Sequence, residues 1–273
     1  MRYRSTSLGL LTVSLIVATD AAAQVQRSSR DRGEQVEENA FQWGGELASG
    51  ARFVLRSING SVTVEPARGR TLEISATKKW RRGDPTAVRI QVTRINGGRN
   101  ILLCALWTAN TECSENEYNT NGRWPRDQDT RVDFTIRLPA GSDASLNVTN
   151  GSIEVTGATG SIDARTTNGG VSAESSGGTV EASTTNGDIK VSMAKLPTRG
   201  TSYHTTNGSI TLTLPDGADA DLLARTTNGS IISSFDITTG GTISTRNLSG
   251  RIGRGGPRLD LATTNGSIRI EKR

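Results

Sequence analysis

The sequence predicts an all-β solenoid, in which short strands stack as repeats next to a broader N-terminal β region. Three observations support this fold class. An Asn-Gly pair recurs at regular intervals, polar and apolar residues alternate around each pair, and the composition is unusual. Glycine contributes 31 residues whereas aromatic residues make up only 4% of the chain, which suits a narrow core that each repeat extends.

The Asn-Gly pair marks a repeat of about 18 to 21 residues in the second half of the chain. Its copies stand at Asn150, Asn168, Asn186, Asn207, Asn228 and Asn265. A degenerate copy at residues 245–250 divides the longest interval, and an outlying copy lies at residues 57–62. We therefore predict that these asparagines stack in one column, at rungs about 4.8 Å apart or twice that if half-repeats intervene.

Residues on either side of each Asn-Gly pair alternate as they do in half-buried strands. Around Asn207, for example, Tyr203, Thr205 and Ile210 occupy positions that are mostly Ala or Leu, Thr, and Ile or Val in the other copies. Asn and Gly tolerate positive φ, so we expect a tight turn at each pair. A weaker half-copy, such as residues 157–162, adds a second strand to each repeat.

Three Leu-Pro segments interrupt the regular spacing, and we expect them to bulge from the flank of the solenoid. They begin at Leu138, Leu196 and Leu214, and each reaches a glycine within a few residues. Pro and Gly in this order favour turns, because Pro fixes φ and Gly permits conformations that other residues avoid.

The first 23 residues have the pattern of a secretory signal peptide. Arg2 and Arg4 precede an apolar run at residues 8–18, and the small residues Ala21-Ala22-Ala23 follow it. No later segment is long and apolar enough to span a bilayer. We therefore expect an exported protein that is periplasmic, displayed on the cell surface or secreted.

The remaining chain divides by composition into three parts. Residues 24–40 are polar and charged and predict a flexible leader. Residues 41–140 contain longer strand patterns and all four tryptophans, and we interpret them as an N-terminal β region continuous with the solenoid that caps its end. Residues 141–273 contain the solenoid repeats themselves.

Two cysteines, Cys104 and Cys113, are the only ones in the chain. In an exported protein, such a pair predicts a disulfide that closes a loop outside the repeat stack. A metal site would need further His or Cys ligands nearby, and the sequence has none there.

The densest basic segment is Lys78-Lys79-Trp80-Arg81-Arg82, in a chain with 32 basic and 27 acidic residues. It could grip an anionic glycan or a lipid headgroup, with Trp80 stacking on a sugar. The alternative is a charged strand end with a partly buried tryptophan. Export argues against nucleic acid as a partner.

The sequence contains no convincing catalytic motif, so we predict a protein that is not an enzyme and needs no cofactor. His204 is the single histidine and occupies a polar repeat position. Ser192 and Lys195 match Ser-x-x-Lys but follow a strand rather than lying on a helix. The acids of the repeats are scattered among polar residues, and Asp216, Asp219 and Asp221 lack the spacing of a calcium loop.

The alternative function is a carbohydrate-active enzyme, a polysaccharide lyase or glycoside hydrolase built on a β-helix. Such an enzyme needs two carboxylates within about 10 Å of each other in a cleft. A flat surface without that pair favours a binding or structural protein instead.

The Thr-Thr-Asn-Gly-Ser-Ile repeats, the Leu-Pro-x-Gly turns and the export signal together resemble the bacterial putative-adhesin family of β-strand-repeat domains. The resemblance covers roughly residues 50–273. It implies an adhesin-like binding or structural scaffold of the cell envelope, whose partner would be a cell-surface glycan or an envelope protein. It supplies no catalytic residues and leaves the oligomeric state open.

Overall fold

The computed structural model describes residues 36–121, 127–239 and 244–273, and in these ranges the regular structure is β-strand apart from one 3-10 turn at Pro85–Ala87. None of the described residues forms a helix of the length and hydropathy needed to cross a membrane. The prediction of an all-β solenoid is confirmed.

The strands of the N-terminal region are longer than those of the repeats. They are β1 Val36–Glu46, β2 Arg52–Asn59, β3 Val62–Pro66, β4 Thr71–Trp80, β5 Arg89–Ile95, β6 Asn100–Leu106, β7 Asn110–Cys113, β8 Tyr118–Asn121 and β9 Arg131–Leu138.

The remaining strands belong to the repeats and to the C-terminal end. They are β10 Asp143–Asn150, β11 Ile153–Ala158, β12 Ile162–Asn168, β13 Val171–Ser175, β14 Val180–Asn186, β15 Ile189–Met193, β16 Thr201–Asn207, β17 Ile210–Leu214, β18 Ala220–Asn228, β19 Ile231–Ser233, β20 Ile237–Thr238, β21 Asn247–Ile252, β22 Arg258–Asn265 and β23 Ile268–Lys272.

Each repeat forms a rung, which is a pair of strands joined at an Asn-Gly turn. The first strand of every rung belongs to sheet B and the second to sheet A, and strands of successive rungs pair in parallel. Sheet A has the order β1-β4-β9-β3-β11-β13-β15-β17-β23-β19. Sheet B has the order β5-β6-β2-β10-β12-β14-β16-β22-β18-β21-β20.

The rungs do not stack in the order of the sequence. The rung β22–β23 lies between β16–β17 and β18–β19, so the last repeat of the sequence occupies an interior position. The degenerate copy at residues 245–250 is not a rung, because Asn247 begins β21, which runs antiparallel to β18. The outlying copy, by contrast, forms a full rung, since β2 and β3 pair with β10 and β11.

Antiparallel strands close both ends of the stack. At the N-terminal end, β4 and β1 extend sheet A beyond β9, and β5 extends sheet B beyond β6. At the other end, β21 and β20 extend sheet B. Part of the predicted flexible leader is therefore a strand, since β1 begins at Val36 and pairs with β4. The rest of the leader and the predicted signal peptide lie outside the described residues.

The core lies between the two sheets and runs the length of the stack. In the rung β16–β17, Tyr203, Thr205, Ile210 and Leu212 are buried, while the residues that alternate with them face outward. Each inward Ile or Leu contributes about 1.5–3 kcal/mol. Larger side chains, including Phe53, Trp107 and Phe134, fill the wider N-terminal end and belong to the same cluster.

Candidate binding face

The Asn-Gly turns are held by a continuous ladder of side-chain amides. Each of these asparagines except Asn59 donates its Nδ2–H to Oδ1 of the asparagine in the neighbouring rung over 2.7 to 2.8 Å. In spatial order the ladder contains Asn59, Asn150, Asn168, Asn186, Asn207, Asn265 and Asn228. The prediction that the repeat asparagines form one column is confirmed.

The expectation of positive φ holds for glycine at some of the turns, such as Gly60 with φ of 123°, but not for asparagine. None of the ladder asparagines has positive φ, and among described non-glycine residues only Asn96 and Asp127 do. Asparagine is used for its amide, which both donates and accepts. Glycine is required by close approach, because a Cβ on Gly208 would lie 1.9 Å from the carbonyl oxygen of Gly187 in the next rung.

Five of the seven ladder asparagines have a threonine two positions before them, and its side chain points inward and fixes the same turn. Thr205 Oγ1 donates to the Gly187 carbonyl oxygen over 2.9 Å, and Thr263 and Thr226 make equivalent bonds to Gly208 and Gly266. A buried hydroxyl needs such a partner. The threonine immediately before the asparagine instead faces outward, so the outer surface of sheet B carries a column of Thr185, Thr206, Thr264 and Thr227.

A shallow groove of about 680 Å³ lies on this outer surface, over the rungs from β14 to β18. It is lined by the threonine column, and in it the small side chain of Ala262 lies between His204 on β16 and Arg225 on β18. Arg246 and Asn247 close the C-terminal end. We name this surface, lined by His204, Arg225, Arg246, Ala262 and the threonine column, the Thr groove.

The charged side chains that line the Thr groove are both basic, Arg225 and Arg246. Arg225 and Arg246 are both exposed, and Arg225 forms an ion pair with Asp260 at 3.6 Å. None of the residues that line the groove carries a carboxylate. His204 is exposed there, which agrees with its prediction as a solvated repeat position.

A disulfide-linked hairpin covers the opposite end of the same sheet surface. Cys104 on β6 and Cys113 at the end of β7 form a disulfide with a Cα–Cα distance of 6.3 Å, which confirms the predicted pair. Beneath it, Val54, Leu102 and Leu106 form a small apolar cluster outside the main core. The hairpin β7–β8 therefore restricts the free surface of sheet B to the rungs beyond it.

Two acids thought to be scattered are neighbours in the structure. Asp163 and Glu181 pair in register on adjacent strands, so strand spacing places them about 5 Å apart. Arg165 Nε donates to Asp163 Oδ1 over 2.8 Å, and this bond raises the pKa of Arg165. The two acids lie outside the Thr groove, on the strand surface between it and the hairpin.

The basic segment at residues 78–82 does not form a shared surface. Lys79 binds Glu37 at 2.9 Å and Asp133 at 3.4 Å, and its hydrogen bond to Glu37 raises its pKa. Lys78 Nζ donates to the Pro85 carbonyl oxygen, and burial lowers its pKa.

The remaining residues of this segment, Arg81, Arg82 and Trp80, also make contacts within the protein. Asp129 accepts the backbone N–H groups of Arg81 and Arg82 and pairs with the Arg82 side chain at 3.7 Å, while Trp80 is half-buried. These contacts leave fewer charges for a ligand than the sequence suggests. Binding of an anion there stays a prediction.

The remaining candidates do not converge on a site. Ser192 lies within β15, and Lys195 lies in the connection that follows this strand, so no helix aligns the two side chains. Asp219 binds Arg254 rather than sharing a site with Asp216 and Asp221. Within the ranges that the structure describes, no cluster of three or more His, Cys, Asp or Glu residues is arranged to hold a metal ion.

The fold and the Thr groove define a solenoid-like β-repeat protein with an open polar face. Residues 52–271 match the model of the Toastrack DUF4097 family, which spans most of the chain. The protein belongs to the Toastrack DUF4097 family. No curated protein resembles the chain in sequence at a significant level.

Comparison with solved bacterial structures finds similar chains at low sequence identity. A putative cell adhesion protein from Clostridium sporogenes matches with a TM-score of 0.50 and 11% identity, over 88% of this chain and 100% of that one. A putative adhesin from Bacteroides fragilis has a TM-score of 0.31 and 12% identity, over 87% of this chain and 97% of that one. At these identities the first likeness supports the fold alone.

Proposed function

We propose that this protein is a non-enzymatic, adhesin-like binding protein of the bacterial envelope, and that the Thr groove binds an anionic glycan. The observation that carries the proposal is the composition of the groove, where threonine hydroxyls lie beside Arg225 and Arg246 and no lining residue is acidic. Asp260 pairs with Arg225 at 3.6 Å, so among the described residues Arg246 is the groove guanidinium that forms no ion pair. Hydroxyl groups can hydrogen-bond sugar hydroxyls, and guanidinium groups bind carboxylate or sulfate bidentately.

The similar solved structures and the disulfide support an adhesin-like role outside the cytoplasm. The similar solved structures carry the names of putative adhesins. The bond between Cys104 and Cys113 is typical of proteins that mature in an oxidising compartment. An exported location, directed by residues 1–23, therefore belongs to the same proposal.

The enzyme alternative lacks a supporting observation. Glycoside cleavage of the common kind uses two carboxylates on either side of the scissile bond. The acids that the register brings together, Asp163 and Glu181, lie on an open strand surface, and Asp163 is engaged by Arg165.

Binding of the mature protein to polygalacturonate, with neutral dextran as the control polymer, tests the proposal. We expect salt-sensitive binding to polygalacturonate alone, because exposed charges are screened by added ions. Arg225→Ala combined with Arg246→Ala should weaken it about tenfold or more, as expected for the loss of two charge-assisted contacts.

The matched control is Arg269→Ala combined with Lys190→Ala, which removes two exposed charges from the outer surface of sheet A. This variant should bind as the parent does. Equal weakening by both double variants would show that only net charge matters, and release of shortened sugar chains would reveal an enzyme. Either result would overturn the proposal.

A further inference from the structure

The rung β22–β23 is held by strands that precede it in the sequence on both sides. β22 pairs in parallel with β16 and with β18, and β23 pairs with β17 and with β19. Residues 258–273 therefore fill a slot between two rungs that are consecutive in the sequence. We name this opening the insertion slot.

The two rungs that border the insertion slot have the pattern needed to pair with each other. Thr226 now donates to Gly266 and Asn228 to Asn265, both within the inserted rung. The border strand β16 ends in the same Thr-Thr-Asn-Gly motif, so Gly208 and Asn207 offer equivalent acceptors. The slot can therefore close with the same bonds when the inserted rung leaves.

The connection between the border rungs is also long enough for direct pairing. Residues 215–219 join β17 to β18 and span two rung spacings in the present arrangement. Elsewhere, residues 176–179 join rungs that are direct neighbours. The border rungs can therefore pair through the same kinds of bonds, either with residues 258–273 inserted between them or directly with each other.

A short hinge connects the inserted rung to the rest of the molecule. Residues 253–257 read Gly-Arg-Gly-Gly-Pro, and Gly253 and Gly255 have φ of 58° and 81°, values that favour glycine. Asp219 holds the hinge, because its Oδ1 accepts the Arg254 backbone N–H over 2.8 Å and its Oδ2 pairs with the Arg254 side chain at 2.7 Å.

Few other bonds restrain this hinge. The Asp221 backbone N–H donates to the Pro257 carbonyl oxygen over 3.1 Å. The bonds from the backbone and side chain of Arg254 also hold the pKa of Asp219 below its ordinary value. All of these contacts lie at the surface, so the hinge can extend without exposing core residues of the neighbouring rungs.

We propose that residues 258–273 exchange between two copies of this chain, each donating β22–β23 to the insertion slot of the other. The contacts that fill the slot are the same within one molecule and between two, so exchange alters mainly the hinge. High local concentration, as on a crowded surface, favours the exchanged dimer by mass action. The partner is a second copy of this chain, which goes beyond the proposed glycan binding.

Mixing two cysteine variants of the full mature chain tests the exchange. Thr211 on β17 and Arg269 on β23 are paired in register across the slot. When Thr211→Cys chains and Arg269→Cys chains are incubated together at rising concentration and then oxidised, we expect a disulfide-linked heterodimer on a non-reducing gel. Its yield should rise with total protein concentration.

The control mixture pairs Thr211→Cys chains with Lys190→Cys chains. Lys190 and Thr211 are also register neighbours, but both lie outside the donated segment. This mixture should give no heterodimer above background. Absence of the heterodimer from the first mixture, or equal yields from the two mixtures, would overturn the proposal.

Loosening the hinge sharpens the test. Asp219→Ala should raise the rate of heterodimer formation about two- to fivefold, the range expected for the loss of a surface ion pair. Arg254→Ala removes the side-chain pair but keeps the backbone bond, so its rise should be smaller. Rates that stay unchanged or fall in both variants would contradict the exchange.

Discussion

The middle of the stack and its N-terminal end are stabilised in different ways. In the middle, rungs approach so closely that glycine is required at each turn, and Asn and Thr side chains bond from rung to rung. At the N-terminal end, large side chains such as Phe53 and Trp107 fill a wider core, and a disulfide fixes a hairpin on the outside. The middle thus depends on backbone proximity, and the end on side-chain volume and a covalent bond.

The largest expected effect is the loss of stability when the narrow core of the middle receives a charge. Ile210 is 1% exposed, and Ile210→Asp should cost about 3–5 kcal/mol because a buried carboxylate would have no partner. Ile232 on β19 is 53% exposed, so Ile232→Asp should stay within about 0.5 kcal/mol. Urea unfolding measures both, and similar costs would show that the core is not narrow.

Backbone proximity predicts the next largest effect. Gly208→Ala should cost about 3 kcal/mol, because the new methyl group would overlap the Gly187 carbonyl oxygen and force the rungs apart. The control is Gly217→Ala in a connection, where a Cβ would meet no atom within 4 Å. If thermal unfolding shows equal shifts for the two variants, close approach is not the reason for glycine in the middle.

The disulfide at the N-terminal end should contribute slightly less to stability than the close approach of the rungs does. Replacing Cys104 and Cys113 together by Ala should cost about 2–3 kcal/mol, since the disulfide closes a short loop in the unfolded chain. Hydrogen exchange should show increased opening of β7 and β8, with the protection of β14 to β17 retained. Loss of protection throughout the stack would mean that the end and the middle unfold as one unit.

The smallest effect concerns the amide ladder. Asn186 both donates and accepts, whereas Asn59 at the end of the ladder only accepts. Asn186→Ala should therefore cost about 1 kcal/mol and Asn59→Ala about half as much, because each exposed bond contributes little. A larger cost at Asn59 than at Asn186 in chemical denaturation would contradict the ladder as a source of stability.

The sequence allowed the local pattern to be predicted but not the order of the rungs. Period-2 alternation around Asn207 identifies inward and outward residues, because burial in a strand follows that period. The insertion of β22–β23 could not be foreseen, since every rung has nearly the same motif and any two can pair in register. The Asp163–Glu181 pair was missed for a related reason: it depends on knowing which strands are neighbours.

The Thr groove was only partly visible in the sequence. His204 was recognised as an outward residue, but its neighbours across the stack are Ser183 and Ala262, which lie far away in the chain. Arg246 enters the groove because β21 folds back along β18, and no repeat position indicates that. For the basic segment at residues 78–82, the sequence suggested one shared basic surface that the fold does not form. The reason is that adjacent residues on a strand point to opposite faces of the sheet.

The amide ladder gives the stack an electrical direction. Every asparagine donates toward the N-terminal end, so Asn59 enters the ladder only as an acceptor and Asn228 only as a donor. The carboxamide dipoles therefore point the same way and add along the stack, as peptide dipoles do along a helix. The N-terminal end of the amide column is therefore slightly positive and the other end slightly negative, although the repeats between them are alike.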